Sequence, residues 1–285
     1  MLHVFLLFSS LFSILSIVSG KDHHVAFVMW TYPKKVPFLE YTIDYFLHAY
    51  NYNHAGIKID GVFITLGCEN CDFPVFEDSI GKLMKNNITV FNVTTQHPPY
   101  SDDTFRQHAK DKFESWFQDM RKDTTNRRQH HRYNNFEKDN LVNYHAVEIA
   151  KYATETVDPD FLIFFEDDIA IEKRFFEKLK PILDNYTDGD KILTRVLLNI
   201  KKYEKIKVQR ANDRVCVAGF FGMVLGKREF KRWKKFQKYN NLGYCGDAFH
   251  CYMKLFLNMT LNLSQFGRHI GRDHRPTPRE SRYWD

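Results

Sequence analysis

The chain lacks most of the features that identify a protein class at a glance. No stretch repeats and no linker-like run divides it, which excludes a solenoid or a string of modules and leaves one domain in 285 residues. Charge of one sign is also in short supply. The net charge is only +6, too small a surplus to argue for nucleic acid, and no nucleic-acid motif is visible. A mild basic excess is compatible with an anionic substrate such as a nucleotide diphosphate. Cysteine is scarce: Cys68, Cys71, Cys216, Cys245 and Cys251 are all there are. No second ligand pair stands at a suitable spacing from Cys68-x-x-Cys71, so a zinc site is excluded. The elements around that pair are not those of a thioredoxin-like redox site. Structural disulfides remain, with Cys68 and Cys71 closing a small loop. One of Cys216, Cys245 and Cys251 is then left over if the other two pair. What the chain does have is apolar residues, at 44%, which supply a sizeable core and exclude disorder.

The first segment is almost unbroken in its apolarity. Leu2 to Val18 ends in Val18-Ser19-Gly20, a small-residue site of the kind signal peptidase cuts. At about 17 residues the run is near the lower limit for a membrane span. The expectation is a cleaved signal peptide over residues 1–20 and a domain over 21–285, with a short signal-anchor as the rival. Membrane contact follows only if the leader stays attached. Val25 to Trp30 already reads as a core strand, so almost no stem intervenes, which favours cleavage. Five sequons support the secretory route: Asn87-Ile88-Thr89, Asn92-Val93-Thr94, Asn185-Tyr186-Thr187, Asn258-Met259-Thr260 and Asn262-Leu263-Ser264.

Strand and helix patterns then alternate. Val25 to Trp30 is a buried strand. Phe38, Leu39, Thr42, Ile43, Phe46 and Leu47 follow at helical spacing. Gly61 to Leu66 and Ile88 to Val93 read as two more strands. This rhythm is the mark of an α/β domain with a mostly parallel central sheet flanked by helices. Residues 97–137 break it with a polar, basic loop, either a solvated surface loop or a lid over substrate phosphates. A helix over Asn140 to Tyr152 leads to a buried strand, Asp160 to Phe165. A helix from about Lys173, a strand-like run over Ile192 to Ile200 and an apolar run over Val215 to Leu225 come next. Helices near Glu229 to Gln237 and Asp247 to Leu257 precede an irregular tail through Phe266 to Gly271.

Glu166, Asp167 and Asp168 follow the apolar run Phe161 to Phe165 directly. They therefore stand at the carboxyl end of a strand, where open α/β sheets bind ligands. Three adjacent like charges repel one another, and a divalent cation removes that cost. Mg²⁺ and Mn²⁺ favour oxygen ligands and bind through few protein carboxylates plus substrate phosphates. The plainer reading has Asp168 capping the next helix and the other two acids solvated. A haloacid-dehalogenase phosphatase also starts from acids after an apolar strand. It needs Asp-x-Asp-x-Thr/Val near the start of its domain, whereas Asp167 is followed by Asp168-Ile169-Ala170 in mid-chain.

The segment Leu162 to Ile169, with an aromatic-rich helix soon after it, resembles the metal (DXD-type) motif of GT-A glycosyltransferases. More narrowly it is similar to the N-acetylglucosaminyltransferase IV family and the enzyme that adds GalNAc to GPI anchors, which share a Leu-Glu-Asp-Asp-Ile/Val core. Other pieces match in order: Lys138 ahead of Tyr144, Gly219-Phe220-Phe221-Gly222, Gly246-Asp247, and Phe266 to Gly271 with its His269-Ile270-Gly271. The resemblance implies a luminal, inverting transferase using a UDP-sugar and Mn²⁺ or Mg²⁺. It implies Asp168 and His269 as metal ligands, Glu166 and Asp167 orienting ribose and metal, and Asp247 as general base. It further implies Gly219 and Gly222 against the donor sugar, Thr31 and Tyr32 against the uridine, and Lys138 at the diphosphate. The lectin-like C-terminal extension of the N-acetylglucosaminyltransferase IV family is missing, and Phe164-Phe165 stands where that family often has Gln-Leu.

The expectation is therefore a GT-A-like glycosyltransferase moving GlcNAc or GalNAc to a glycan or glycolipid, in the Golgi lumen or secreted. The alternative is a secreted, catalytically silent sugar-binding protein on the same fold.

Overall fold

The structure, a computed structural model, describes residues 22–31, 38–67, 72–93, 136–186, 192–195, 222–231, 260–263 and 266–270. The leader, Tyr32, the five cysteines, nearly all of the basic loop, Gly219 and Asp247 lie outside the described residues, as do the side chains of Lys138 and His269. Among the described residues no helix is long and apolar enough to cross a membrane.

The elements in order are β1 (His24–Thr31), α1 (Phe38–Tyr52), β2 (Lys58–Leu66), α2 (Pro74–Lys85), β3 (Val90–Asn92), α3 (Phe136–Thr156), β4 (Phe161–Glu166), β5 (Ile169–Ile171), α4 (Phe175–Asp184), β6 (Ile192–Arg195), β7 (Met223–Gly226), β8 (Thr260–Leu263) and β9 (Gly267–His269). Residues 227–231 are helical. Among the described residues seven strands form one sheet in the order β3-β2-β1-β4-β7-β6-β8, and β5 pairs with β9. Only β7 runs against its neighbours in the large sheet. The mostly parallel α/β sheet expected from the sequence is the one observed.

Strand β1 shows why the sheet has two covered faces. Val25, Phe27 and Met29 join the core beneath α1, α2 and α4, while Ala26, Val28 and Trp30 join the core beneath α3. Strand side chains alternate between faces, so a continuous apolar run requires apolar cover on both sides. β4 repeats the pattern: Phe165 enters the first core and Phe164 the second, both without exposed surface. The Phe164-Phe165 pair thus fills both layers just before the acidic residues. The first core holds a nest of aromatic rings around Phe27, with centroids 5.0 Å from Phe46 and 5.1 Å from Phe165 in edge-to-face contact. Each such pair adds about 0.5–1.5 kcal/mol beyond area burial.

Five elements depart from the pattern expected, among them β5, a strand of three residues directly after the acidic turn. α2 is unforeseen; its Pro74 occupies the first turn, where a missing N–H costs nothing, and it buries only Phe76, Ser79 and Leu83. β3 is shorter than the apolar run Ile88 to Val93, because the Ile88 N–H is committed to the Leu83 carbonyl at the end of α2. The supposed irregular tail contains β9, which pairs antiparallel with β5, and β8 ahead of it extends the large sheet beside β6. Strands of three or four residues carry too little of a two-residue period to stand out.

Candidate functional site at the ends of β1 and β4

The strand order reverses between β1 and β4: β2 and β3 lie to one side, β7, β6 and β8 to the other. At such a switch point the connections leave in opposite directions and open a crevice outside the carboxyl ends of the strands. β1 ends at Thr31 and β4 at Glu166, with Trp30 in register opposite Glu166. The acidic residues therefore stand at the place where an open sheet of this kind takes its ligand.

Glu166 closes β4, and Asp167 and Asp168 make the turn into β5. Asp168 does not cap a helix, since α4 starts at Phe175 behind Arg174. Nor are the two aspartates solvated: Asp167 is 4% and Asp168 7% exposed. Burying a carboxylate costs several kcal/mol unless hydrogen bonds or a cation compensate. These values remove the plainer reading of surface acids.

Two threonines hold the turn. Thr31, at the end of β1 and without exposed surface, donates its hydroxyl hydrogen to Asp167 Oδ2 at 2.7 Å. Thr42, on the buried face of α1, donates to the Asp167 carbonyl at 2.9 Å and accepts the Ile169 N–H at 3.0 Å. One hydroxyl thus satisfies the main chain on both sides of Asp168. A third tie comes from the other end of the chain, where the Ile270 N–H donates to the Asp168 carbonyl at 2.8 Å. β9 sets His269 opposite Ile169, and antiparallel partners have Cα atoms about 4.5–5.5 Å apart. The backbones of Asp168 and His269, a hundred residues apart in sequence, are neighbours across one ladder.

Gly222 belongs to the same end of the sheet. β7 is antiparallel to β4, so its start lies beside the end of β4. Gly222 has φ +66°, a left-handed conformation that favours glycine, and its N–H donates to the Phe164 carbonyl at 2.7 Å. Lys138 lies in the first turn of α3. Thr31, expected against a nucleoside, is buried and spends its hydroxyl hydrogen on Asp167. Thr42 was legible only as part of an apolar helix face. The signal that could have found it is a hydroxyl on a stripe otherwise made of Phe38, Leu39, Ile43 and Phe46.

Among the described residues no three His, Cys, Asp or Glu side chains group as a complete metal site. What the turn supplies is a pair of adjacent, nearly buried carboxylates on a braced main chain. That donor set fits a hard divalent cation of the Mg²⁺ or Mn²⁺ type, which is commonly held by one or two carboxylates together with substrate phosphates. It does not resemble the nitrogen and sulfur set of zinc.

No family model matches the chain, and no curated protein matches it in sequence. Solved structures do match in fold. The mannosyltransferase PcManGT from Pyrobaculum calidifontis, solved in complex with GDP-Man and Mn²⁺, superposes with a TM-score of 0.50 at 10% identity, over 89% of this chain and 59% of that one. TarS (residues 1–349) from S. aureus gives a TM-score of 0.46 at 10% identity, over 86% and 60%. A cytidylyltransferase from Leptospira borgpetersenii gives 0.42 at 9%, over 86% and 76%. The chain spans about 60% of the length of the first two. At 10% identity the likeness to the mannosyltransferase is one of fold: this chain has a GT-A-like α/β fold.

Proposed function

We propose that the chain is a metal-dependent glycosyltransferase that moves a sugar from a nucleotide-sugar donor to an acceptor hydroxyl. The observation that carries the reading is the near-burial of Asp167 and Asp168 together at the β1–β4 switch point. Two buried charges cost the fold stability, and a cation shared with a diphosphate gives them a use. The fold likeness to a mannosyltransferase solved with GDP-Man and Mn²⁺ supports the same reading.

In this reading Asp168 is the principal metal ligand and His269 the second. Glu166 and Asp167 orient the ribose and the cation, with Thr31 fixing Asp167 from behind. Tyr32 meets the nucleoside, and Lys138 neutralises the diphosphate. Gly219 and Gly222 let main chain approach the donor sugar. Asp247 takes the proton of the acceptor hydroxyl, whose oxygen then attacks the anomeric carbon opposite the nucleotide, so the anomeric configuration inverts. A bound Mn²⁺ or Mg²⁺ would neutralise charge developing on the departing nucleotide. The resemblance to the N-acetylglucosaminyltransferase IV family and the GPI-anchor GalNAc transferase favours UDP-GlcNAc or UDP-GalNAc as donor. It favours a glycan or glycolipid acceptor in the secretory pathway, in the Golgi lumen or after secretion.

The test is UDP release from UDP-GlcNAc, UDP-GalNAc and UDP-Gal by the purified full chain, with Mn²⁺ and mixed glycan acceptors. Mn²⁺-dependent release, stopped by a chelator and giving an inverted linkage, is expected. If all three donors stay intact, the enzyme reading fails. Donor binding without turnover would then favour a silent sugar-binding protein.

A further inference from the structure

Helix α2 ends in a turn that leaves one sequon in the open. The Asn87 N–H donates to the Met84 carbonyl at 3.0 Å and the Ile88 N–H to the Leu83 carbonyl at 3.2 Å. Asn87 itself is left-handed, at φ +58°. This is a Schellman ending, completed by the buried pair Leu83 and Ile88. After glycine, asparagine tolerates that conformation best, so the backbone alone accounts for Asn87. It does not account for Thr89. Thr89 uses its carbonyl to accept the Val62 N–H, while the residue as a whole is exposed. Asn87 and Thr89 are thus both exposed on either side of a buried Ile88. Asn185, at the end of α4, differs: its side-chain amide is tied to the Pro181 carbonyl at 2.6 Å.

The location adds a role. β3, which starts just after this sequon, is the terminal strand of the large sheet among the described residues, and Asn92 of a second sequon is exposed within it. An open edge presents unpaired main-chain groups that invite another chain. A glycan is bulky and solubilising.

We propose that Asn87 carries an N-linked glycan that stands beyond the β3 edge and shields it. The inference rests on the secretory reading of the chain. The host transferase would join Asn87 Nδ2 to the anomeric carbon of a lipid-diphosphate-linked oligosaccharide. The N–C bond forms as the C–O bond to the diphosphate breaks, and the amide proton passes to the transferase.

The experiment expresses the full chain in animal cells and maps glycopeptides before and after peptide N-glycosidase. Thr89→Ala removes the sequon without disturbing the left-handed asparagine, and Thr89→Ser preserves it. The glycosidase should leave its deamidation mark at Asn87 in the unaltered chain. Thr89→Ala should lose one glycan's mobility step, and Thr89→Ser should keep it. Light scattering should show Thr89→Ala associating more readily than Thr89→Ser. Glycans elsewhere with none on Asn87 overturn this inference alone, and a wholly unglycosylated chain overturns it together with the secretory reading. Equal association of the two variants overturns the shielding role.

Discussion

The Thr31 hydroxyl lies 2.7 Å from Asp167 Oδ2, linking the last residue of β1 to the first residue of the turn after β4. The two strands that flank the switch point are thereby joined at their tips. A hydrogen bond to a charged group contributes about 1.5–3 kcal/mol. Thr31→Val keeps the shape and removes the donor. It should lower turnover about 10- to 100-fold and raise the Mn²⁺ concentration needed for half-maximal activity. Thr31→Ser should restore both. A purely structural role would shift the melting temperature without moving the Mn²⁺ dependence.

Thr42 serves the main chain rather than a carboxylate. Thr42→Val removes the acceptor of the buried Ile169 N–H and a donor to the Asp167 carbonyl, and a buried group left unsatisfied costs about 1–3 kcal/mol. The melting temperature should fall by several degrees, with activity falling further than the stability loss explains. Thr42→Ser should recover both in calorimetry and in turnover.

Phe165 ties the acidic turn to the aromatic nest around Phe27. Phe165→Ala removes its ring contacts with Phe27, Phe46 and Phe175 and leaves a cavity under the end of β4. A loss of about 3–5 kcal/mol is expected in denaturant unfolding. Tyr152→Ala, at a residue that is 46% exposed, should cost far less.

Acid should loosen the start of β1. Asp184 accepts from Lys180 and pairs with His23 Nε2. The Lys180 hydrogen bond foremost, and then the His23 one, hold its carboxyl below the usual range against the opposing effect of partial burial. A depressed carboxylate stabilises the fold above its unfolded pKa, and this contribution disappears as pH falls through the folded value. The stability gap between the unaltered protein and Asp184→Asn should thus be constant from neutral pH down to about 4 and close below it. Thermal melts across that range check this.

The sheet was legible where burial was complete. β1 and β4 are continuous apolar runs because both their faces are covered, and carboxylates directly after such a run have no other explanation than a strand end. The helix α1 was legible from its periodic stripe. α2 was not, because charged residues dilute its few buried positions. β5 and β9 were not, because each acquires strand structure only by pairing with a partner about a hundred residues away. Distance also hid Thr42: nothing near it in sequence announces that its hydroxyl will meet the Asp167 carbonyl, 125 residues on. The acids could be read from their neighbours, whereas what braces them depends on the folded chain.

The central claim is that the turn after β4 holds a divalent cation together with a nucleotide diphosphate. Its most direct test is titration of Mn²⁺ into the protein in the presence of UDP, followed by electron paramagnetic resonance, for the unaltered chain and for Asp168→Asn. The account predicts saturable Mn²⁺ binding that UDP strengthens, weakened at least about 100-fold by Asp168→Asn, with an unchanged circular dichroism spectrum. Equal Mn²⁺ affinity in the two proteins would contradict it.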